Sequence, residues 1–265
     1  MATVERALET GWLDSTPVED NLLRRFLRNQ ADLGAAVAVA SGGRAAEVAG
    51  VALADAGGTL SFVNQATMQR PLTGLGDPTL DALDDFWGGE GRPHLLLSVW
   101  PTPDLAARGW RLDGHPMLVV RAPGPHPEAA GPGVGLELVA DPGRLAVAES
   151  LAIEGYPIPH LATAPAGSVL APGVLSTTVR YRIGHVDGAP VAVAADHVAH
   201  GVVNLCLAAT LPAARRRGVW ASLVWARVDD APQLPAVAFT SDLSRPGFVR
   251  MGFLPVLRCT LWSRS

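Results

Sequence analysis

A chain of 265 residues that is 48% hydrophobic is long enough for one large domain or for two of roughly 130 residues, each with its own core. Its formal net charge of −4 gives no global basic field, which argues against nucleic acid as the main partner. All 21 basic residues are arginine. That usage reads as the codon bias of a high-GC bacterial genome, and it excludes a lysine Schiff base or a Walker-type phosphate lysine.

Cys206 and Cys259 lie in apolar, strand-like runs without CxxC spacing, so buried thiols are expected and no metal site. The opening MATVERALETGW has no apolar signal core, and the apolar run 35–40 falls far short of a membrane span. A cytoplasmic protein without a membrane partner is expected; oligomeric state is not legible.

Taken in chain order, Leu22, Leu23, Phe26 and Leu27 recur at helical spacing and predict a helix over 18–31. Strands are predicted over 35–40, 46–53 and 60–64, then a helix over 79–87 and a strand over 94–100. The segment 121–135, RAPGPHPEAAGPGVG, contains four prolines and four glycines, the composition of a semi-rigid linker. Domains are therefore placed at 1–122 and 135–265, joined by 123–134. Beyond the linker come a strand over 134–140, a helix over 143–154 and strands over 176–185, 191–196 and 202–210. A helix over 219–229, a strand over 236–240, a short helix over 244–251 and closing strands through 255–262 complete an α/β chain with mixed sheets. The runs LLLSVWPTPDLAARGWRLDGHPMLVVR and AVAFTSDLSRPGFVRMGFLPVLRCTLW both read as strand, short helix, Gly-aromatic step and strand. Gly109-Trp110 and Gly252-Phe253 supply the step, and the match suggests two copies of one architecture.

The richest stretch is Thr210-Leu211-Pro212-Ala213-Ala214-Arg215-Arg216-Arg217-Gly218-Val219-Trp220-Ala221, between a strand and a helix. Backbone N–H groups at a helix start bind phosphate, three arginines add cationic charge, and Gly218 leaves the backbone room to curl. The stretch points to a phosphate-bearing ligand. Strand, Pro-x-x-Arg-x-x-Gly, helix resembles the acyl-coenzyme A loop of the GNAT (general N-acetyltransferase) family, which reads Arg or Gln, two residues, Gly, one residue, Gly or Ala. Arg215 and Gly218 fit; Trp220 stands at the third place. Phe248-Val249-Arg250-Met251-Gly252-Phe253 is similar to that family's Tyr-x-x-Leu/Met-Gly-Phe ending.

The resemblance covers roughly the last 130 residues and implies two tandem N-acyltransferase-like domains, the first a degenerate partner. It implies an N-acyltransferase using acetyl-CoA or another acyl-CoA, without metal, on the amine of a small molecule or peptide. The alternative is a non-catalytic CoA-binding or protein-interaction module of the same fold. Pantetheine would lie along Ala208, Ala209 and Thr210, and pyrophosphate on the amides of Arg216, Arg217, Gly218, Val219, Trp220 and Ala221, with Arg215 adding charge. Trp220 either takes ligand space or packs with Val224 at i, i+4.

Phe248 holds the place of the tyrosine that in the family commonly protonates the departing thiolate, and it has no proton to give. His197 and His200, read as a turn before the central strand, are candidate general bases. Ser241 touches the cofactor or, with Asp242, caps the following helix. Glu154, Tyr156 and His160 are candidates for the acceptor. In the first half, Arg70-Pro71-Leu72-Thr73-Gly74-Leu75-Gly76 is the nearest approach to such a loop, and it is read as lacking the strand-to-helix setting.

Overall fold

The computed structural model describes residues 21–58, 61–88, 91–126, 133–156, 164 and 167–265. Helix α1 (Leu22–Ala40) starts where the Asn21 side chain accepts from Arg24 N, and it buries Phe26, Leu27 and Leu33. It also absorbs the strand predicted over 35–40. The Ala/Val alternation there mimics a half-buried strand, yet Val39 is 62% exposed while Val37 packs inward. The predicted strand 46–53 is a hairpin, β1 (Arg44–Val48) and β2 (Val51–Asp55), because Ala49 (φ 51°) and Gly50 (φ 78°) form a left-handed turn that reverses the chain. The strand predicted over 60–64 lies later, as β3 (Asn64–Met68).

Helix α2 (Pro78–Trp87), β4 (His94–Ser98), a 3-10 turn, β5 (Arg111–Gly114) and β6 (Met117–Arg121) complete the first half. The second comprises β7 (Val134–Leu138), α3 (Pro142–Gly155), β8 (Val179–Val186), β9 (Ala189–Ala199) and β10 (Val202–Thr210). It continues with α4 (Val219–Asp229), β11 (Ala236–Thr240), α5 (Arg245–Arg250), β12 (Leu254–Arg258) and β13 (Thr260–Arg264). Both cysteines are free, and among the described residues no helix is long and apolar enough to cross a membrane.

Two mixed sheets result, ordered β1-β2-β3-β4-β13-β5 and β12-β6-β11-β10-β9-β8-β7. They do not divide at residue 122. Strand β6 from the first half pairs with β11 and β12, while β13 from the second pairs with β4 and β5. Each half thus completes the other's sheet. One core cluster, with Phe26, Leu27, Leu97, Leu118, Val202, Val237 and Cys259, draws on both, so the halves share backbone ladders as well as apolar surface. Helix α1 packs on β2 and β3 and also on β9 and β10, which makes the first half a wall of the second half's site.

Candidate active site

Strands β10 and β11 run parallel but pair only at Val203↔Ala236 and Asn204↔Val237. Beyond that point β10 bulges: its register shifts between Cys206 and Ala208, and Leu207 takes a left-handed φ of 37°. Such a conformation is costly for a branched-chain residue and persists only where its surroundings impose it. Arg227, fully buried on α4, is one restraint. It donates Nη1 to Ala195 O (2.8 Å) and Cys206 O (3.2 Å) and Nε to Leu223 O (2.9 Å). Burial lowers its pKa to about 10, so it stays cationic near neutral pH and holds the bulge as a charged donor.

At the far end of β10, Arg216 (φ 64°) and Gly218 (φ 86°) turn the chain into α4, whose start carries no side-chain cap. The helical ladder begins with Ser222 N on Gly218 O, which leaves the amides of Val219, Trp220 and Ala221 facing outward at the positive end of the dipole. Of the three arginines, Arg215 donates Nε to Thr210 O (3.2 Å), Arg217 pairs with Asp187 (2.5 Å) and Arg216 is exposed. Thr210 Oγ1 is buried with no partner. Uncapped amides at the start of α4 and the exposed Arg216 give this loop the chemistry to hold a polar, anionic group.

Trp220 belongs to the cluster that includes Val224, and its ring meets Phe248 edge-on at 4.9 Å. It also lies over Gly247, where a Cβ would come within 2.9 Å of the indole. The indole therefore bridges α4 to α5 rather than only packing along its own helix. Phe248 is 5% exposed, wedged between Trp220 and Phe253, so the tyrosine place of the motif is core.

The end of α3 presses on β10 at Gly155, where a Cβ would stand 2.8 Å from Ala209 Cβ. That approach carries Tyr156 to the bulge, where its hydroxyl accepts from Ala208 N at 3.1 Å. Desolvation pushes its phenol pKa up, the Ala208 N–H opposing. Tyr156 lines a cleft of about 1300 Å³ between the halves, with Leu207, Tyr181 and Phe239 on one side and Leu33 and Phe62 on the other.

The other sequence candidates fall differently. His197 lies within β9, not in a turn, and is fully buried; Nε2 sits 3.1 Å from Asp32 Oδ2 of α1 and Nδ1 3.2 Å from Thr178 Oγ1. It pairs with Asn204, roughly 20 Å of strand from Thr210. His200, in the turn after β9, has Nε2 3.7 Å from the same Asp32. Neither lines the cleft. Ser241 lines it and also accepts from Ser244 N, while Asp242 pairs with Arg258 at 2.9 Å. Glu154 is exposed, and His160 lies outside the described residues. Ala208 and Val219 turn their side chains into the core beneath α4. Among the described residues no cluster of three or more His, Cys, Asp or Glu is placed to hold a metal.

The first half repeats the arrangement. Contrary to the sequence reading, its loop at Arg70–Gly76 does follow a strand, β3, and precede a helix, α2, with β3 parallel to β4. Its anion seat, however, is filled from within. Asp77 caps α2, accepts from Thr79 N (2.9 Å) and Thr73 N (2.8 Å), and takes a two-pronged bond from Arg70 (2.7 and 2.9 Å). The Arg70 guanidinium holds this carboxyl far below the usual carboxylate range.

No family model and no curated protein matches this sequence. Solved structures match its fold over nearly the whole chain. A GCN5-related N-acetyltransferase from Kribbella flavida is 20% identical, with 92% of this chain and 96% of that one covered and a TM-score of 0.63. One from Sphaerobacter thermophilus is 12% identical (81% and 75%, TM-score 0.53). A tandem GNAT protein from the clavulanic acid biosynthesis pathway is 13% identical (94% and 97%, TM-score 0.50). The fold is that of the GNAT acetyltransferases in tandem arrangement.

Proposed function

We propose that this chain is an acyl-CoA-dependent N-acyltransferase, with acetyl-CoA as the donor, acting on the amine of a small molecule or peptide. One observation carries the reading: an uncapped, arginine-flanked helix start adjoins two strands that part and open into the cleft between the halves. An acyl-CoA supplies an activated carbonyl and a thiol leaving group. Arg216 and the first amides of α4 would hold its pyrophosphate, and the backbone from the Ala208 carbonyl to Thr210 would pair with pantetheine as an added strand, the Ala208 N–H staying on Tyr156. Leu33, Phe62 and Phe239 would exclude water and seat the acceptor. Bringing amine and thioester together contributes about 7–11 kcal/mol of barrier reduction.

A second reading, a binder of CoA or of another protein that does not transfer, is favoured by the Trp220–Phe248 bridge between α4 and α5. Calorimetry with acetyl-CoA, followed by thiol release against a panel of amines, separates the two. Binding with free thiol supports transfer; binding alone supports the second reading; no binding overturns the acyl-CoA assignment.

A further inference from the structure

Phe248 leaves the site without a proton donor at the place the motif reserves for one, yet the chain's two tyrosines, Tyr156 and Tyr181, both line the cleft. Tyr181 lies near Cys206 at the start of the bulge, whereas Tyr156 sets its hydroxyl on the Ala208 amide beyond it. We propose that Tyr156 is the catalytic proton donor to the leaving thiol, delivered from the end of α3 instead of from α5. The inference rests on the acyl-CoA reading above.

The geometry gives three reasons. If Thr210 stands at the pyrophosphate end and pantetheine runs back along β10, its thioester arrives near the bulge, roughly 10 Å of strand away. The Ala208 N–H occupies one lone pair of the Tyr156 oxygen, leaving the O–H free to donate and stabilising the phenolate that remains. Gly155 fixes this placement, because any side chain there would strike Ala209.

Competing groups are already engaged or unsuited. His197 is buried on Asp32 and Thr178, and Ser241 caps the turn before α5. Burial pushes the Cys206 thiol up to about 12, and its side chain lies in the apolar cluster around α3.

The step balances. The amine nitrogen attacks the thioester carbonyl carbon, the C–N bond forms and the oxyanion collapses as the C–S bond breaks. Tyr156 gives its proton to sulfur, and the phenolate takes the proton shed by nitrogen, directly or through a water. Amine and thioester become amide and thiol, and the tyrosine is restored.

A test that needs no acceptor is titration of the thiolate absorbance of bound CoA. A phenol donating to sulfur stabilises the thiolate, so in Tyr156→Phe the thiolate is expected about one to two pH units higher than in the native protein. Equal CoA affinity with identical titrations would overturn the Tyr156 assignment and leave the acyl-CoA reading standing. Failure of the native protein to bind CoA would overturn both. A second measurement avoids substitution: 3-fluorotyrosine, a more acidic phenol, should move the native titration to lower pH, and no movement counts against the proposal. With a productive amine, Tyr156→Phe should lower kcat about 10²-fold or more without raising KM for acetyl-CoA.

Discussion

Asp77 closes the first half's anion seat, and replacing it tests how. Its carboxylate caps α2, accepts from Thr73 N and buried Thr79 N, and meets Arg70 with both oxygens. Alanine removes the cap and so leaves buried Thr79 N unpaired, at about 1–3 kcal/mol, and takes the acceptor from Thr73 N and Arg70, a further ~1 kcal/mol. Asp77→Ala should therefore cost about 2–4 kcal/mol in urea unfolding. Asparagine keeps one oxygen for Thr79 N but loses the charge facing Arg70, which is 36% exposed and partly screened. It also replaces the oxygen that accepts from Thr73 N and Arg70 Nη1 with an amide donor. It should cost about 1–2 kcal/mol at pH 7. Because the folded carboxyl titrates below the unfolded value of about 3.9, its contribution is complete above that value and is lost as pH falls toward the folded one. The Asp77→Asn deficit should shrink on acidification. A deficit that grows, or none at pH 7, would refute the charge-based account. Since the seat is filled, calorimetry should give one CoA per chain, and two would show that it opens.

Gly218→Glu should abolish acetyl-CoA binding by calorimetry, while Gly218→Ala, with φ 86° and open space around the new Cβ, should bind and lose about 1–2 kcal/mol of stability. Gly155→Ala should lower kcat more than acetyl-CoA affinity, since its Cβ displaces the end of α3 from Ala209; an unchanged kcat would count against placement by Gly155. Phe248→Tyr should bring no rate gain, because its hydroxyl enters the Trp220–Phe253 contact and is left unpaired at about 1–3 kcal/mol. Calorimetric unfolding should show one transition for both halves, given the exchanged β6 and β13; two separable transitions would contradict the shared ladder.

What sequence reasoning reaches here depends on how local the cause is. The bounds of β10, α4 and β11 are legible in the sequence because an apolar run, a glycine turn and a helical stripe each act within a dozen residues. The fold class followed from their order. The run at 35–40 failed for the same reason: six residues of alanine and valine satisfy both periods, and only α1's packing on two sheets chooses the helix. The exchange of β6 and β13 has no local signal at all, since either strand would satisfy either sheet. At the site, Tyr156 and Ala208 were both candidates, but the bond between them spans 52 residues and needs Gly155 to bring them together. Buried Arg227 and the Asp77 plug were missed because a charged residue on an apolar helix and an aspartate before a helix proline usually mean a surface and a cap. Trp220 marks the boundary: its departure from the motif was visible in sequence, while the glycine at 247 that receives its ring gains meaning only once α4 and α5 lie side by side. That contact fills the α4–α5 gap with apolar rings, which is why the proposed proton donor comes from another element, the end of α3.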